Sequence, residues 1–226
     1  MKVRDAATML VLRESPTQVY MVKRHSKSAF LANAWVYPGG ALDPSDFDPQ
    51  LQERVDISGE EASETLKISD PNHALAFFLA AIRETFEEAG LLLATRDGQR
   101  VEHLGVEFQE YRSGMQRAEH GLLTLAEAFD LEFPVSKMRY LDHWITPEYA
   151  PRRFDTRFFV VEAPKHDAVH DELETVDGVW ISPEEALRRG RSGEWFIAPP
   201  TESTLEKLLS TSEPRQKREP SSTIAE

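Results

Sequence analysis

One stretch sets the terms for the rest of the chain: Arg83-Glu84-Thr85-Phe86-Glu87-Glu88-Ala89-Gly90-Leu91, which closes a helical pattern and carries three carboxylates. At about 100° per residue, Glu84, Glu87 and Glu88 project from one side of that helix. Leu75, Phe78, Leu79, Ile82, Phe86 and Ala89 project from the other. One face packs and the other gathers negative charge. Like charges at i,i+3 and i,i+4 each cost a helix roughly 0.2–0.5 kcal/mol, and only Arg83, four residues before Glu87, offsets them locally. A glutamate-rich face can simply be solvated. A hard divalent ion gives such a cluster another purpose, because magnesium takes few carboxylate oxygens and keeps its other positions for water and phosphate. Asp70-Pro71 supplies an N-cap followed by proline at N1, and Gly90 falls where a left-handed residue ends a helix. The pattern therefore predicts a helix over Pro71–Ala89.

Upstream, Trp35-Val36-Tyr37-Pro38-Gly39-Gly40 reads as a strand entering a tight glycine turn. A strand, a glycine turn and a helix bearing Arg-Glu-x-x-Glu-Glu-x-Gly together resemble the signature of the Nudix hydrolases. The usual box has a glutamate eight residues before the arginine, where this chain has Leu75. A long insert, 43–70, also separates Gly40 from the helix. That insert, together with Arg83-Glu84-Thr85-Phe86-Glu87-Glu88-Ala89-Gly90, is similar to the branch that includes eukaryotic acyl-CoA diphosphatases, while Leu75 is a departure from the family pattern. The resemblance implies an α/β Nudix fold, a mixed β-sheet in an α/β/α sandwich with an added helical section.

A chain of 226 residues suffices for one well-buried domain, expected here over 1–210. From Thr211 onward the sequence is rich in Ser, Pro, Lys and Glu, and a disordered tail, 211–226, is expected. Zero cysteines exclude thiolate metal sites and thiol nucleophiles. A net charge of −13 opposes non-specific nucleic-acid binding, which needs clustered Lys and Arg. No apolar run reaches transmembrane length, and the expected location is cytoplasmic with no membrane partner. Anionic substrates then need metal ions or a basic pocket.

Ala6–Arg13 and Gln18–Arg24 read as a β-hairpin, and Arg24 at the end of the second strand could either meet a phosphate or be an ordinary surface charge. The insert is acidic, poorly periodic apart from a short helix near Pro49–Val55, and expected to act as a lid or a homodimer contact. Leu91–Ala94 can begin a strand. Val106–Glu119 and Leu125–Asp130 read as helices, and Tyr140–Ile145, Phe158–Ala163 and Gly178–Ile181 as strands. Between strands, Pro151-Arg152-Arg153-Phe154-Asp155-Thr156-Arg157 reads as a loop. Its three arginines could fork onto phosphate oxygens or pair with nearby acids. Ser182-Pro183-Glu184-Glu185 is a helix-capping box, so its glutamates are structural.

The resemblance implies roles for these residues. Glu84, Glu87 and Glu88, with the Gly40 carbonyl, would hold magnesium or manganese, and Arg83 would orient Glu87. Glu174, or Glu172 as second choice, would complete the metal shell or take a proton; His166 and His170, read from the sequence alone, are either further bases or bystanders in the loop. Arg24, Gly39, Gly40, Arg152, Arg153 and Arg157 would bind substrate. The implied reaction is hydrolysis of a nucleoside diphosphate linked to another moiety, with CoA or acyl-CoA favoured. ADP-ribose, NADH or a dinucleoside polyphosphate is an alternative substrate, and a nucleotide-binding module without catalysis is the alternative class.

Overall fold

A computed structural model describes residues 3–15, 17–28, 30–171 and 174–212. The expected hairpin forms from β1 (Arg4–Arg13) and β2 (Gln18–Arg24). Two short strands follow, β3 (Trp35–Val36) and β4 (Gly39–Ala41). The insert is more ordered than its composition suggests. A 3-10 turn at Pro44–Phe47 leads into α1 (Pro49–Gln52) and then α2 (Gly59–Leu66). Helix α2 lacks a long apolar stripe but has a complete capping box, Ser58 with Glu61.

Helix α3 (Pro71–Ala89) has the expected bounds, with the Asp70 carboxylate accepting from the amides of Asn72 and His73 and Gly90 closing it at φ 66°. Leu91–Ala94 departs from expectation. It is a buried apolar link that enters no strand, and pairing begins only at β5 (Thr95–Arg96) with β6 (Gln99–Arg100). The added helical section is α4 (Val106–Gln116) and α5 (Leu122–Phe129). Then come β7 (Arg139–Ile145), β8 (Phe154–Glu162), β9 (Thr175–Ile181), α6 (Pro183–Arg191) and α7 (Pro199–Ser212). Helix α7 runs two residues past the expected end of the domain, and 213–226 lie outside the described residues.

The main sheet has the order β3-β2-β1-β8-β7, with β4 on β1 and β9 on β2. It is mixed, because β1 runs parallel to β8 while the other pairs are antiparallel. Alternation along β1 and β8 divides the core. Ala7, Met9, Val11, Phe159 and Val161 pack with α3 and the helical section. Leu10, Phe158 and Val160 face the other way, towards α6 and α7. Phe77, Phe78 and Phe86 of α3 are almost completely buried. Truncating any of them to alanine should cost about 3–5 kcal/mol. The helix that carries the carboxylates is thus fixed along its length.

Candidate active site

Strand β4 brings the glycine turn against the end of α3. Ala7 pairs with Gly40 and Thr8 with Gly39, and the Gly39 amide donates to Glu88 Oε2 at 3.0 Å. A Cβ at Gly40 would stand 2.5 Å from the Glu84 carboxyl carbon, so only glycine lets the backbone and that carboxylate share the space. Turn and helix therefore form one unit, as the motif implies.

Arg83 sits at the centre of this unit. Its guanidinium grips Asp46 with two hydrogen bonds, Nε to Oδ1 at 2.9 Å and Nη2 to Oδ2 at 3.0 Å, and Nη2 also donates to the Ala41 carbonyl. Its remaining nitrogen, Nη1, donates to Glu84 Oε1 at 2.8 Å and lies 3.6 Å from Glu87 Oε2. The expected partner was Glu87, but the direct bond goes to Glu84. Burial alone would weaken the charge on Arg83; the Asp46 fork and the Glu84, Asp46 and Glu87 charges outweigh it and raise the pKa. Burial also pushes the Asp46 carboxyl up against the pull of Arg83.

The three glutamates are strained electrostatically. Burial raises each pKa, Glu87 to about 7 and Glu88 well above the usual range, and the neighbouring Glu84 and Glu174 carboxylates add to the effect. Asp46, Glu84, Glu87, Glu88 and Glu174 are set against Arg83 and Arg24, with Arg112 acting on Glu87 from α4. Among the described residues, no three acids or histidines already converge in ligating geometry. The donor set nevertheless suits a hard cation. Glu88 Oε1 is buried without a hydrogen-bond partner, with the Arg24 Nη1 group 4.0 Å away. A buried carboxylate oxygen of this kind calls for a compensating charge. Divalent ions of the magnesium class supply it and prefer carboxylate oxygen.

The cluster opens into a cleft of about 1060 Å³, large enough for a nucleotide-sized ligand. Gly39, Gly40, Arg83, Glu84, Glu87 and Glu174 line one end, and Glu174 comes from the loop before β9, as expected. Arg24 and Arg152 also line the cleft, but Arg153 and Arg157 do not. For Arg157 the reason is the length of β8, which begins at Phe154 and converts half the expected loop into strand. Alternation turns Thr156 and Phe158 towards the cleft and Arg157 to the opposite face. There Arg157 is buried, ion-paired with Asp155 and packed over the Phe77 ring at 5.3 Å. Arg153 spends its Nε on the Thr146 carbonyl. His166 accepts from the Leu92 amide away from the cleft, and Glu172 lies outside the described residues.

Several residues at the site escaped the sequence reading. Asp46 is one, although Asp43-x-x-Asp46 is a capping pattern that could have marked an ordered turn. Arg112 and Gln116 of α4 are others. Arg112 donates twice and Gln116 once to the Glu87 carbonyl, pinning the end of α3. No local signal announces that contact, because it depends on how α4 packs.

Known proteins resemble this chain in sequence and in fold. The family described as the NUDT19 Nudix domain matches residues 60–208, more than half of the chain. A protein named acyl-coenzyme A diphosphatase NUDT19 from Gallus gallus is 26% identical over 248 residues, covering 87% of this chain and 65% of that protein. The Xenopus laevis protein of the same name is 27% identical over 230 residues, covering 86% of this chain and 60% of that protein. The chain thus spans less than two thirds of these relatives. A crystal structure of a NUDIX hydrolase from Alicyclobacillus acidocaldarius superposes with a TM-score of 0.78 at 26% identity, covering 93% of this chain and 92% of that one. With the Arg83–Gly90 motif, the glycine turn and the mixed sheet in place, the chain belongs to the Nudix hydrolase family, in the branch of the NUDT19 Nudix domain.

Proposed function

We propose that this protein hydrolyses the diphosphate of CoA or an acyl-CoA, using magnesium or manganese, and releases 3′,5′-ADP and the corresponding phosphopantetheine. The observation that carries the reading is the carboxylate cluster at the Gly39–Gly40 turn, in which acids outnumber cations and Glu88 Oε1 is buried without a hydrogen-bond partner, opening into a cleft of nucleotide size. The names of the Gallus gallus and Xenopus laevis relatives favour CoA over other diphosphates.

Glu84, Glu87 and Glu88 would hold the ion. When bound, it supplies positive charge to the diphosphate oxygens and lowers the pKa of a water. Glu174, at the cleft and within electrostatic reach of all three glutamates, takes the proton as the water oxygen joins phosphorus and the bridging P–O bond breaks. Asp46 locks Arg83, and Arg83 in turn holds Glu84 in position. Arg24, lining the cleft beside Glu88, is placed to bind a phosphate oxygen. No covalent enzyme intermediate is required.

The test is a panel of CoA, acyl-CoA, ADP-ribose, NADH and a dinucleoside polyphosphate, incubated with magnesium or manganese and analysed by product mass. Preferential release of 3′,5′-ADP supports the reading. Binding of these compounds without release of any nucleotide would make the protein a binding module instead.

A further inference from the structure

Helix α4 reaches two parts of the active site through one residue, Arg112. Glu87 lies in the last turn of α3, where carbonyls run out of helical donors. Arg112 supplies them, donating to the Glu87 carbonyl from Nε at 3.0 Å and from Nη2 at 2.9 Å. The guanidinium charge also suits the negative end of a helix dipole. Packing there leaves no slack. A Cβ at Gly90 would stand 3.0 Å from Arg112 Nη1, so the residue that ends α3 is held to glycine by the arginine as well as by its φ of 66°.

The other contacts of Arg112 lead to the loop before β9. Nη2 donates to the Val169 carbonyl at 2.6 Å, and the Val169 amide donates to the Ala89 carbonyl at 2.8 Å. Val169 is therefore tied at both backbone groups, to α4 and to the end of α3. Two residues on, Asp171 closes the turn that presents Glu174. Its carboxylate accepts from the Glu174 amide at 3.1 and 3.2 Å, from the Thr175 amide at 2.8 Å and from the Thr175 hydroxyl at 2.7 Å. The Glu174 carbonyl accepts from the His25 amide at 2.9 Å, so its backbone is held on both sides while the residue lines the cleft. Arg112 is 4% exposed, and burial lowers its pKa; the Asp171 charge is first among those that oppose the loss. A helix end at the surface can be capped by water or by a flexible lysine. Burying a guanidinium instead is costly, and here it joins two elements that must keep one spacing.

We infer that Arg112 is a positioning residue: by joining the Glu87 carbonyl to the 169–171 segment, it fixes Glu174 relative to the carboxylates of α3. The inference rests on the diphosphatase reading for what Glu174 does, which is to take the proton from water. A base misplaced by about 1 Å loses on the order of 100-fold in rate while the substrate still binds. Arg112 is absent from the described residues that line the cleft, so its loss should fall on kcat and pass through Glu174. The added helical section thereby gains a task in the chemistry without touching the substrate through this residue.

The test reads the coupling between the two residues. Arg112→Met, Arg112→Lys, Asp171→Ala and Glu174→Gln are made in the full chain, and Arg112→Met is also combined with Glu174→Gln. With CoA and magnesium, Arg112→Met and Asp171→Ala should each lower kcat at least about tenfold and leave KM within about twofold of the parent. Arg112→Lys, which keeps the charge but not the planar fork, should recover part of that loss. In the Glu174→Gln background, adding Arg112→Met should cost less than about threefold, because the group being positioned is already gone. A full tenfold loss in that background, a raised KM with unchanged kcat, or parent-like kcat in Asp171→Ala would overturn the assignment.

Hydrogen exchange decides the link without turnover. The Glu174 and Thr175 amides, both bonded to Asp171, should exchange at least about tenfold faster in Arg112→Met than in the parent, while residues 79–83 in the middle of α3 keep their rates. Unchanged exchange in the turn would overturn the assignment, and so would equal acceleration in the middle of α3, which marks a merely structural role. A parent that cleaves no diphosphate removes the diphosphatase reading, while faster exchange confined to the turn still supports the tie from Arg112 to Glu174. Asp171→Ala carries the same measurements should Arg112→Met fail to fold.

Discussion

Asp46 and Arg83 meet in a two-point fork, at 2.9 and 3.0 Å, although thirty-seven residues separate them and both are buried. The insert therefore braces the carboxylate helix. Leu75, where the usual Nudix box has its glutamate, lies eight residues up the same helix from Arg83, about 12 Å along the axis. A carboxylate there would not reach the guanidinium easily, and the insert supplies one from the side.

Asp46→Ala should accordingly unfold more readily, by about 3–5 kcal/mol, because it leaves a buried guanidinium without its main partner. Urea denaturation measures this directly. A change smaller than about 1 kcal/mol would show that the fork does not brace the helix.

Glu87→Gln should lower turnover at least about 100-fold without harming the fold. Burial holds the Glu87 pKa near 7, so its charge is a burden on the metal-free protein. The variant should be at least as stable as the parent at pH 8. Retained activity at saturating magnesium would remove Glu87 from the site.

Metal-free stability should fall as pH rises. Glu87 ionises near its ordinary carboxylate value when unfolded and near 7 when folded. Between those values the unfolded chain has lost a proton that the folded chain keeps, so stability declines across the window and levels off above it. Glu84 and Glu88 act in the same direction. Magnesium or manganese should restore the melting temperature more at pH 8 than at pH 5, and a chelator should reverse the gain. A flat metal-free profile between pH 5 and pH 8 would contradict the proposed charge burden.

Gly40→Ala should impair activity far more than stability. The new methyl would contact the Glu84 carboxyl carbon at 2.5 Å and displace it, while the Ala7 backbone pairing can persist. The metal concentration giving half-maximal activity should rise. Parent-like metal dependence would mean that the Glu84 carboxylate is not needed where it stands.

Arg157→Ala should act in the reverse sense, lowering the unfolding midpoint and leaving KM unchanged. Its guanidinium packs over Phe77 and pairs with Asp155 on the far face from the cleft. A raised KM with unchanged stability would return Arg157 to the substrate path.

The sequence by itself determined the carboxylate helix, its caps, the glycine turn and the two-faced strands. These are local facts: 3.6-residue and two-residue periodicity, the N-cap at Asp70 and the left-handed Gly90 are set by neighbours in the chain. Glu174 was legible too, by its spacing to Trp180. Tertiary structure alone decided which charges meet. One extra stretch of pairing in β8 sends Arg157 to the core side while Arg152 stays at the cleft, and side-chain alternation allows no intermediate outcome. Docking of the insert gives Arg83 its buried partner Asp46, and packing of α4 places Arg112 and Gln116 on the Glu87 carbonyl. Such contacts join residues distant in sequence, whose meeting depends on how whole elements pack and not on any local pattern.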